Sequence, residues 1–424
     1  MSLSFIDHGA RYRHLEEKMP PGGLFGSGEW KVSTEAFPLQ PKHVSYLKKL
    51  GPWLRKFQEA SDLLYKQSLT GKAPAYIADW IDRGKPEDLK SISHQTANNG
   101  QLPSLLRPDL LLTDDGFQLT EIDSLPGGSG VMAWMNETYS EFEEGVIGTT
   151  EAASQLRGRF AGHDIVISEE AFSYAPEFKW LYGEAQVKKA EHYQFNGAPV
   201  YRFFEGFDWP SMRSLRQSWS DQVVMDAPLK VHLEEKLWMA LFWMQPLREF
   251  WKQQLGGRYD QELQKLIPYT WPLEPIDLPP HGVIPKLGIH QWEDAYGFSK
   301  AERDLVIKLS GFSPLAWGSK SVVMGSDVPV AEWEETLKMA LRHSQDGLWI
   351  MQEFKKAERA THSLYDPVKN SRLDVPVRAR ICPFYLTSAE KTELIGVHVT
   401  LCPPDKKKIH GMQDAIIVPA KELS

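Results

Sequence analysis

Two cysteines in 424 residues are too few for a disulfide framework, and so low a count fits a reducing compartment in which Cys382 and Cys402 are buried thiols. No Cys/His cluster has the spacing of a zinc site. No uncharged apolar run approaches the roughly 20 residues that cross a bilayer, and the start of the chain, from Met1 to His8, lacks the basic residues and apolar core of a secretory signal. The chain is therefore expected to be cytoplasmic and to have no membrane partner. Positive charge is also scarce: 48 Lys and Arg against 56 Asp and Glu leave a net charge of −8, and the one basic cluster, Lys406-Lys407-Lys408, reads as a solvated turn. That balance gives nucleic-acid phosphates no broad attraction. What is present, 42% hydrophobic and 25% charged residues, is ordinary for a soluble globular chain long enough for two or three domains.

The most informative stretch runs from Arg107 through Asp109, Gly116 and Glu121 to Asp123. Two apolar runs flank Thr113-Asp114-Asp115-Gly116, a turn signal in which Gly116 takes positive φ at no steric cost, so the stretch reads as a β-hairpin. A two-residue loop would set Asp109 against Ile122 and mix acidic with apolar groups on each face. A three-residue loop from Asp114 to Gly116 sets Leu111 opposite Leu119, Asp109 opposite Glu121 and Arg107 opposite Asp123, and is the expected form. One end of the hairpin then holds three carboxylates and a guanidinium, with Glu121 and Asp123 about 6.6 Å apart along the strand. Such carboxylates repel and need a cation. Hard oxygen donors at this spacing suit Mg²⁺ held together with nucleotide phosphates. By itself, a hairpin like this is more often an ordinary charged strand end, so the residues that follow decide its weight.

Residues 1–40 are rich in Gly and Pro and read as an irregular lead-in, followed by helices over 41–67 and 75–83. After the hairpin, Pro126 to Gly130 forms a turn before a helix that starts near Val131, and its unpaired amides could bind an anion. Strands at 163–168, 200–204 and 222–226, with a helix over 176–192, imply a small α/β domain with a parallel sheet. Tyr174 and Glu177 either face a small-substrate cleft there or pack. Lys230 stands at a strand-to-helix junction ahead of a helix over 234–243, and Ser299 with Glu302 has capping-box spacing for a helix at 299–303. A strand ending in Lys308 leads into a Gly/Ser loop containing Gly318 and Ser319, and a further strand starts at Ser321. That loop could fold over phosphates while the lysine neutralises their charge. A helix over 331–343 precedes a buried strand at 347–354, where Gln352, Glu353 and Phe354 could read an adenine edge. Strands at 361–365, 375–386, 394–401 and 414–418 suggest an antiparallel sheet onto which the hairpin adds, with Arg378 and Arg380 sharing one face.

This order of parts resembles the permuted branch of the ATP-grasp superfamily, with glutathionylspermidine synthetase and eukaryotic glutathione synthetase the nearest members, over residues 100–424 at the level of motifs. The resemblance implies an α/β fold of α+β type: a central antiparallel sheet, a small parallel α/β domain and a lid that clasps a nucleotide. Residues 1–135 with 356–424 would form the sheet, 136–226 the small substrate domain, and 227–355 the nucleotide region. It implies ATP and Mg²⁺ as cofactors, Asp109, Glu121 and Asp123 as metal ligands, and Arg107 and Lys308 at the transferred phosphoryl group. Lys230, Lys308, Gly318, Ser319, Gln352, Glu353, Phe354 and Arg380 would contact the nucleotide. The implied activity is an ATP-dependent ligase joining a small acid to an amine through an acyl phosphate. The alternatives are a nucleotide-binding scaffold without turnover and a small-molecule kinase. Asp123 stands where the family has asparagine, Pro126 and Gly128 stand where it has serines, and Ala316-Trp317-Gly318 replaces an Arg-Glu-Gly-like loop.

Overall fold

Alternating apolar residues close the hairpin as two strands, Leu105–Thr113 and Gly116–Asp123, and the computed structural model places it in a larger sheet. The model describes residues 7–26, 30–94, 100–279, 281–316, 318, 320–388, 390–407, 409 and 415–423. Its contacts divide the chain into two units, Met1–Lys56 with Gln95–Lys230 and Lys356–Ser424, and Phe57–His94 with Val231–Lys355. The helices expected over 41–67 and 75–83 are present as Pro41–Leu69 and Tyr76–Asp82.

The first unit is built on an eight-stranded sheet. Its order is Trp30–Val32, Ala415–Glu422, Thr392–Cys402, Ser371–Thr387, Leu105–Thr113, Gly116–Asp123, while Ala360–Asp366 pairs with Ser371–Thr387 and Phe37–Leu39 with Ala415–Glu422. All pairings are antiparallel except those of the two short N-terminal strands. The strand expected to begin at Asp414 begins at Ala415, and Asp414 lies outside the described residues. Helix Ser129–Tyr139 lies on one face of the sheet. There Gly396 is required, because a Cβ would stand 2.2 Å from Met132 Sδ.

A four-stranded parallel sheet completes this unit, in the order Val187–Lys189, Asp164–Ile167, Val200–Phe203, Met225–Asp226. Phe160, Ile165, Phe178, Tyr201 and Phe203 fill the space between it and helices Ala152–Arg159 and Ala175–Tyr182. The helix expected over 176–192 stops at Tyr182. Gly183, at φ 92°, breaks it, and Val187–Lys189 is an edge strand instead.

In the second unit, strands Val323–Met324, Leu305–Leu309, Trp349–Glu353 and Thr270–Leu273 form an antiparallel sheet. Trp271, Leu273, Ile307 and Met351 pack on Trp333 and Leu337 of helix Val330–Arg342. The helix expected at 299–303 is only a turn. Both capping-box bonds form, from Ser299 N to Glu302 Oε2 (2.7 Å) and from Glu302 N to Ser299 Oγ (3.4 Å), so the motif closes a turn here rather than starting a helix.

Candidate active site

The hairpin opposes its charged residues as expected, by a different route. Arg107 pairs with Asp123 and Asp109 with Glu121, but Thr113 pairs with Gly116, so the loop has two residues, and Leu110 rather than Leu111 faces Leu119. The ladder shifts between Asp109 and Leu110, where Thr120 is taken up as a β-bulge and its hydroxyl donates to Asp109 O (3.0 Å). A bulge absorbs one residue just as a longer loop would, and it bends the strand at the point where the acids begin.

Neighbouring strand Ser371–Thr387 adds a second guanidinium to this face. Arg107 donates from Nε to Asp109 Oδ1 (3.0 Å), from Nη2 to Asp123 Oδ2 (3.0 Å) and from Nη1 to Gly127 O (2.7 Å). Arg380 donates from Nη1 to Asp109 Oδ2 (2.9 Å), and its Nη2 reaches Thr400 Oγ1 (3.4 Å). Asp109, 1% exposed, therefore has both oxygens committed to arginines. Burial opposes its ionisation, but the two guanidiniums outweigh burial and hold the carboxyl well below the usual range. Asp123 keeps 27% of its side chain exposed and accepts from Leu125 N (2.8 Å). Burial, countered by Arg107 and reinforced by Glu121, pushes its carboxyl up to about 6.

As a metal centre, the set fits in part. The donors are hard carboxylate oxygens, as Mg²⁺ requires. Yet among the described residues no three acidic, His or Cys groups converge as a ready cation cage. Asp109, expected as a ligand, has its two oxygens on Arg107 and Arg380. Glu121 and Asp123 are the pair that could share a cation with phosphate oxygens.

The glycine turn after Asp123 already holds a carboxyl group. Glu177 accepts from Gly128 N (2.8 Å), Gly130 N (3.0 Å) and Val131 N (3.2 Å), capping helix Ser129–Tyr139. Its carboxyl is fully buried, and burial outweighs these three bonds to push it up to about 7. Tyr174 covers the same turn, since a Cβ on Gly127 would stand 2.1 Å from its ring, and burial, countered by Arg107 and reinforced by Glu177, pushes its hydroxyl up to about 12. Of the two expectations for this pair, Glu177 packs as a cap and Tyr174 lies against the turn.

Lys230 ends the first unit, 1% exposed, in a turn closed by its own amide to Pro228 O (2.7 Å). Buried Arg202 fixes that turn by donating to Ala227 O (3.0 Å) and Pro228 O (3.3 Å). The second unit carries Lys308, Gly318, Gln352, Glu353 and Phe354. Lys308 Nζ donates to Gln352 Oε1 (3.1 Å), and Gln352 Nε2 donates to Thr270 Oγ1 (2.9 Å), a buried polar chain across three strands. Glu353 pairs with Lys286 and Lys355 (3.1 Å each). The amides of Glu353 and Phe354 donate to Tyr269 O (2.9 Å) and Asp304 O (3.1 Å). The loop after Lys308 starts under a clamp: Ser310 Oγ donates to Glu235 Oε2 (2.5 Å), Lys85 Nζ donates to Glu235 Oε1 (2.6 Å), and Gly311 leaves room for that carboxylate. Gly318 adopts φ 63°, while Trp317 and Ser319 lie outside the described residues.

Three residues on this face of the sheet escaped the sequence reading of the site. Cys382 lies beside Asp109, and burial and that carboxylate push its thiol up to about 12. His398, opposite Cys382, is buried, and neither ring nitrogen has a partner among the described residues; burial and Arg380 push its pKa down to about 3. Arg378, noted only for its face, is 4% exposed. Period-two alternation puts Arg378, Arg380 and Cys382 on one face, and that was the available signal. Which residues of the next strand lie beside them needs the register.

No protein-family model matches the chain, and neither does any curated protein sequence. A solved structure of a glutathione synthetase-like effector from Globodera pallida is similar over 97% of this chain and 94% of that chain, with a TM-score of 0.51 and 10% identity. A candidate gamma-glutamylcysteine synthetase from Methylobacillus flagellatus KT covers 85% of this chain and 86% of its own at 9% identity, and its TM-score of 0.39 adds nothing to the comparison. The fold is thus that of a glutathione synthetase-like structure along nearly the whole chain, the ATP-grasp-like α/β architecture that the motif order implies.

Proposed function

We propose that the chain is an ATP- and Mg²⁺-dependent ligase that joins a small acid to an amine. The observation that carries this reading is the hairpin cluster, in which Asp109 fixes two guanidiniums beside Glu121 and Asp123 on a synthetase-like fold. Glu121 and Asp123 would hold the metal, which when bound neutralises charge on the phosphate oxygens. Arg107 and Arg380, positioned in advance by Asp109, would stabilise charge on the transferring phosphoryl group. The acid's carboxylate oxygen attacks the γ-phosphorus and the bond to the ADP oxygen breaks, giving an acyl phosphate and ADP. The amine nitrogen then attacks the acyl carbon, phosphate leaves, and the nitrogen loses a proton. Positioning does most of the work, because no protein atom forms a covalent bond.

The test is ADP release with ATP, Mg²⁺ and a panel of amino acids, small peptides and polyamines, with hydroxylamine added to trap an acyl phosphate as a hydroxamate. Amine-dependent release with hydroxamate formation supports the ligase. A stable phosphorylated product that needs no amine would make it a kinase.

One observation favours a second reading, nucleotide binding without turnover. Glu177 fills the amides of the turn at Gly128 to Val131, where an acidic substrate would otherwise find donors. ATP binding with no ADP release across the whole panel would decide for that reading.

A further inference from the structure

Arginine is rarely buried without an acidic partner, because the lost hydration of its charge must be made good by something. Arg378 is such a case. It is 4% exposed, its Nε has no hydrogen-bond partner, and none of its nitrogens pairs with a carboxylate among the described residues. It lies two positions from Arg380 on the strand, about 6.6 Å away and on the same face. Arg380 Nε is likewise buried without a partner among the described residues. Across the ladder Arg378 faces Cys402, and Val377 faces Ala360, which brings Arg359 alongside. Burial and repulsion from Arg359 hold the Arg378 guanidinium below the usual arginine range, so among the described residues the neighbourhood supplies more positive charge rather than a counter-ion. Arg380 differs, since Asp109 answers its charge.

We infer that Arg378, with Arg380 next to it and Arg359 alongside, binds a polyphosphate, and that this is the nucleotide's own phosphate chain running along the face toward Glu121 and Asp123. Two guanidiniums in series on one strand match an anion whose charges are also in series better than they match a single carboxylate. A fork of donors that lacks an internal acceptor suits phosphate oxygens. The identification of the polyphosphate as a nucleotide's rests on the ligase reading. The presence of an anion site does not.

The experiment compares wild type with Arg378→Met and Arg378→Lys, using thermal unfolding and calorimetric titration with inorganic tripolyphosphate, ADP and adenosine. Met keeps the aliphatic stem and removes an unanswered charge, so the unliganded Met variant should unfold at a higher temperature than wild type. It should also bind tripolyphosphate and ADP about tenfold more weakly, the effect of losing one charge-assisted contact, with adenosine affinity unchanged. Lys should restore part of the binding. A Met variant that unfolds at a lower temperature and binds tripolyphosphate within about twofold of wild type overturns the inference, since Arg378 would then be a packing residue. Tripolyphosphate binding that depends on Arg378 in a protein that ignores ADP upholds the anion site and defeats the ligase reading. ADP binding unaffected by either variant does the reverse.

Discussion

Asp109 and Glu121 face each other across one ladder rung, yet they do different work. Asp109 is the buried counter-ion of two half-buried guanidiniums, so Asp109→Asn should destabilise the fold by about 3 kcal/mol in urea titration, the low end of the cost of breaking a buried pair. Glu121→Gln should leave stability nearly unchanged and instead lower Mg²⁺-dependent ATP affinity. Equal losses of stability in the two variants would remove the distinction. Protonation at the same scale gives a pH test with opposed signs. Glu177 titrates at about 7 in the folded chain against 4.5 in the unfolded one, so the folded state holds the extra proton and this contribution to stability falls as pH rises between those values. His362 and His398 titrate at about 4 and about 3 when folded against 6.5 when unfolded, so the unfolded chain takes up their protons and stability falls as pH falls below 6.5. Glu177→Gln should therefore make stability rise more steeply between about pH 5 and about pH 6.5, and His398→Leu less steeply, in denaturation curves across that range.

At the scale of elements, the hairpin shows why a pattern can be read correctly and placed wrongly. Alternation reveals that the second strand must accommodate one extra residue before the acidic pairs, and a longer loop or a bulge does this equally well on paper. The neighbouring strand, through Ile381 against Leu110 and Arg380 against Leu111, is part of what the bulge at Thr120 must suit. Deleting Thr120 removes only the residue that the ladder leaves unpaired, so the variant should fold, lose about 1 kcal/mol with the Thr120 hydrogen bond, and keep Mg²⁺-dependent ATP binding. Deleting Ile122 turns Asp123 to the other face and should abolish that binding. A further element-scale test is Gly127→Ala, whose Cβ would meet the Tyr174 ring; it should cost about 1–3 kcal/mol, measured by chemical denaturation, because a packed ring must move. The same competition between local and distant partners explains the shorter helix before Gly183 and the capping box that closes only a turn at Ser299.

For the molecule as a whole, the candidate residues are carried by both units: the acids, arginines and Lys230 by the first, Lys308 and Gln352 to Phe354 by the second. A ligand that binds only the folded chain stabilises it by mass action, so MgATP at about a hundred times its dissociation constant should add about 2.7 kcal/mol to unfolding. EDTA should remove most of that gain if Glu121 and Asp123 hold the metal. A thermal shift with ATP that is indifferent to EDTA would speak against them as ligands.

The sequence by itself determined the hairpin, the opposition of Arg107 with Asp123 and of Asp109 with Glu121, the parallel small sheet and the antiparallel large one. These follow from the alternation of side chains and from the order of apolar runs, which are local quantities. Tertiary structure alone decided that Arg380 and Cys382 would meet Asp109, that Glu177 would fill the glycine turn, and that Arg378 would be buried without an acid among the described residues. Each of these depends on which residues of separate strands and helices come into register. A charge's partner in the interior is set by that register, whatever its nearest neighbours in the chain.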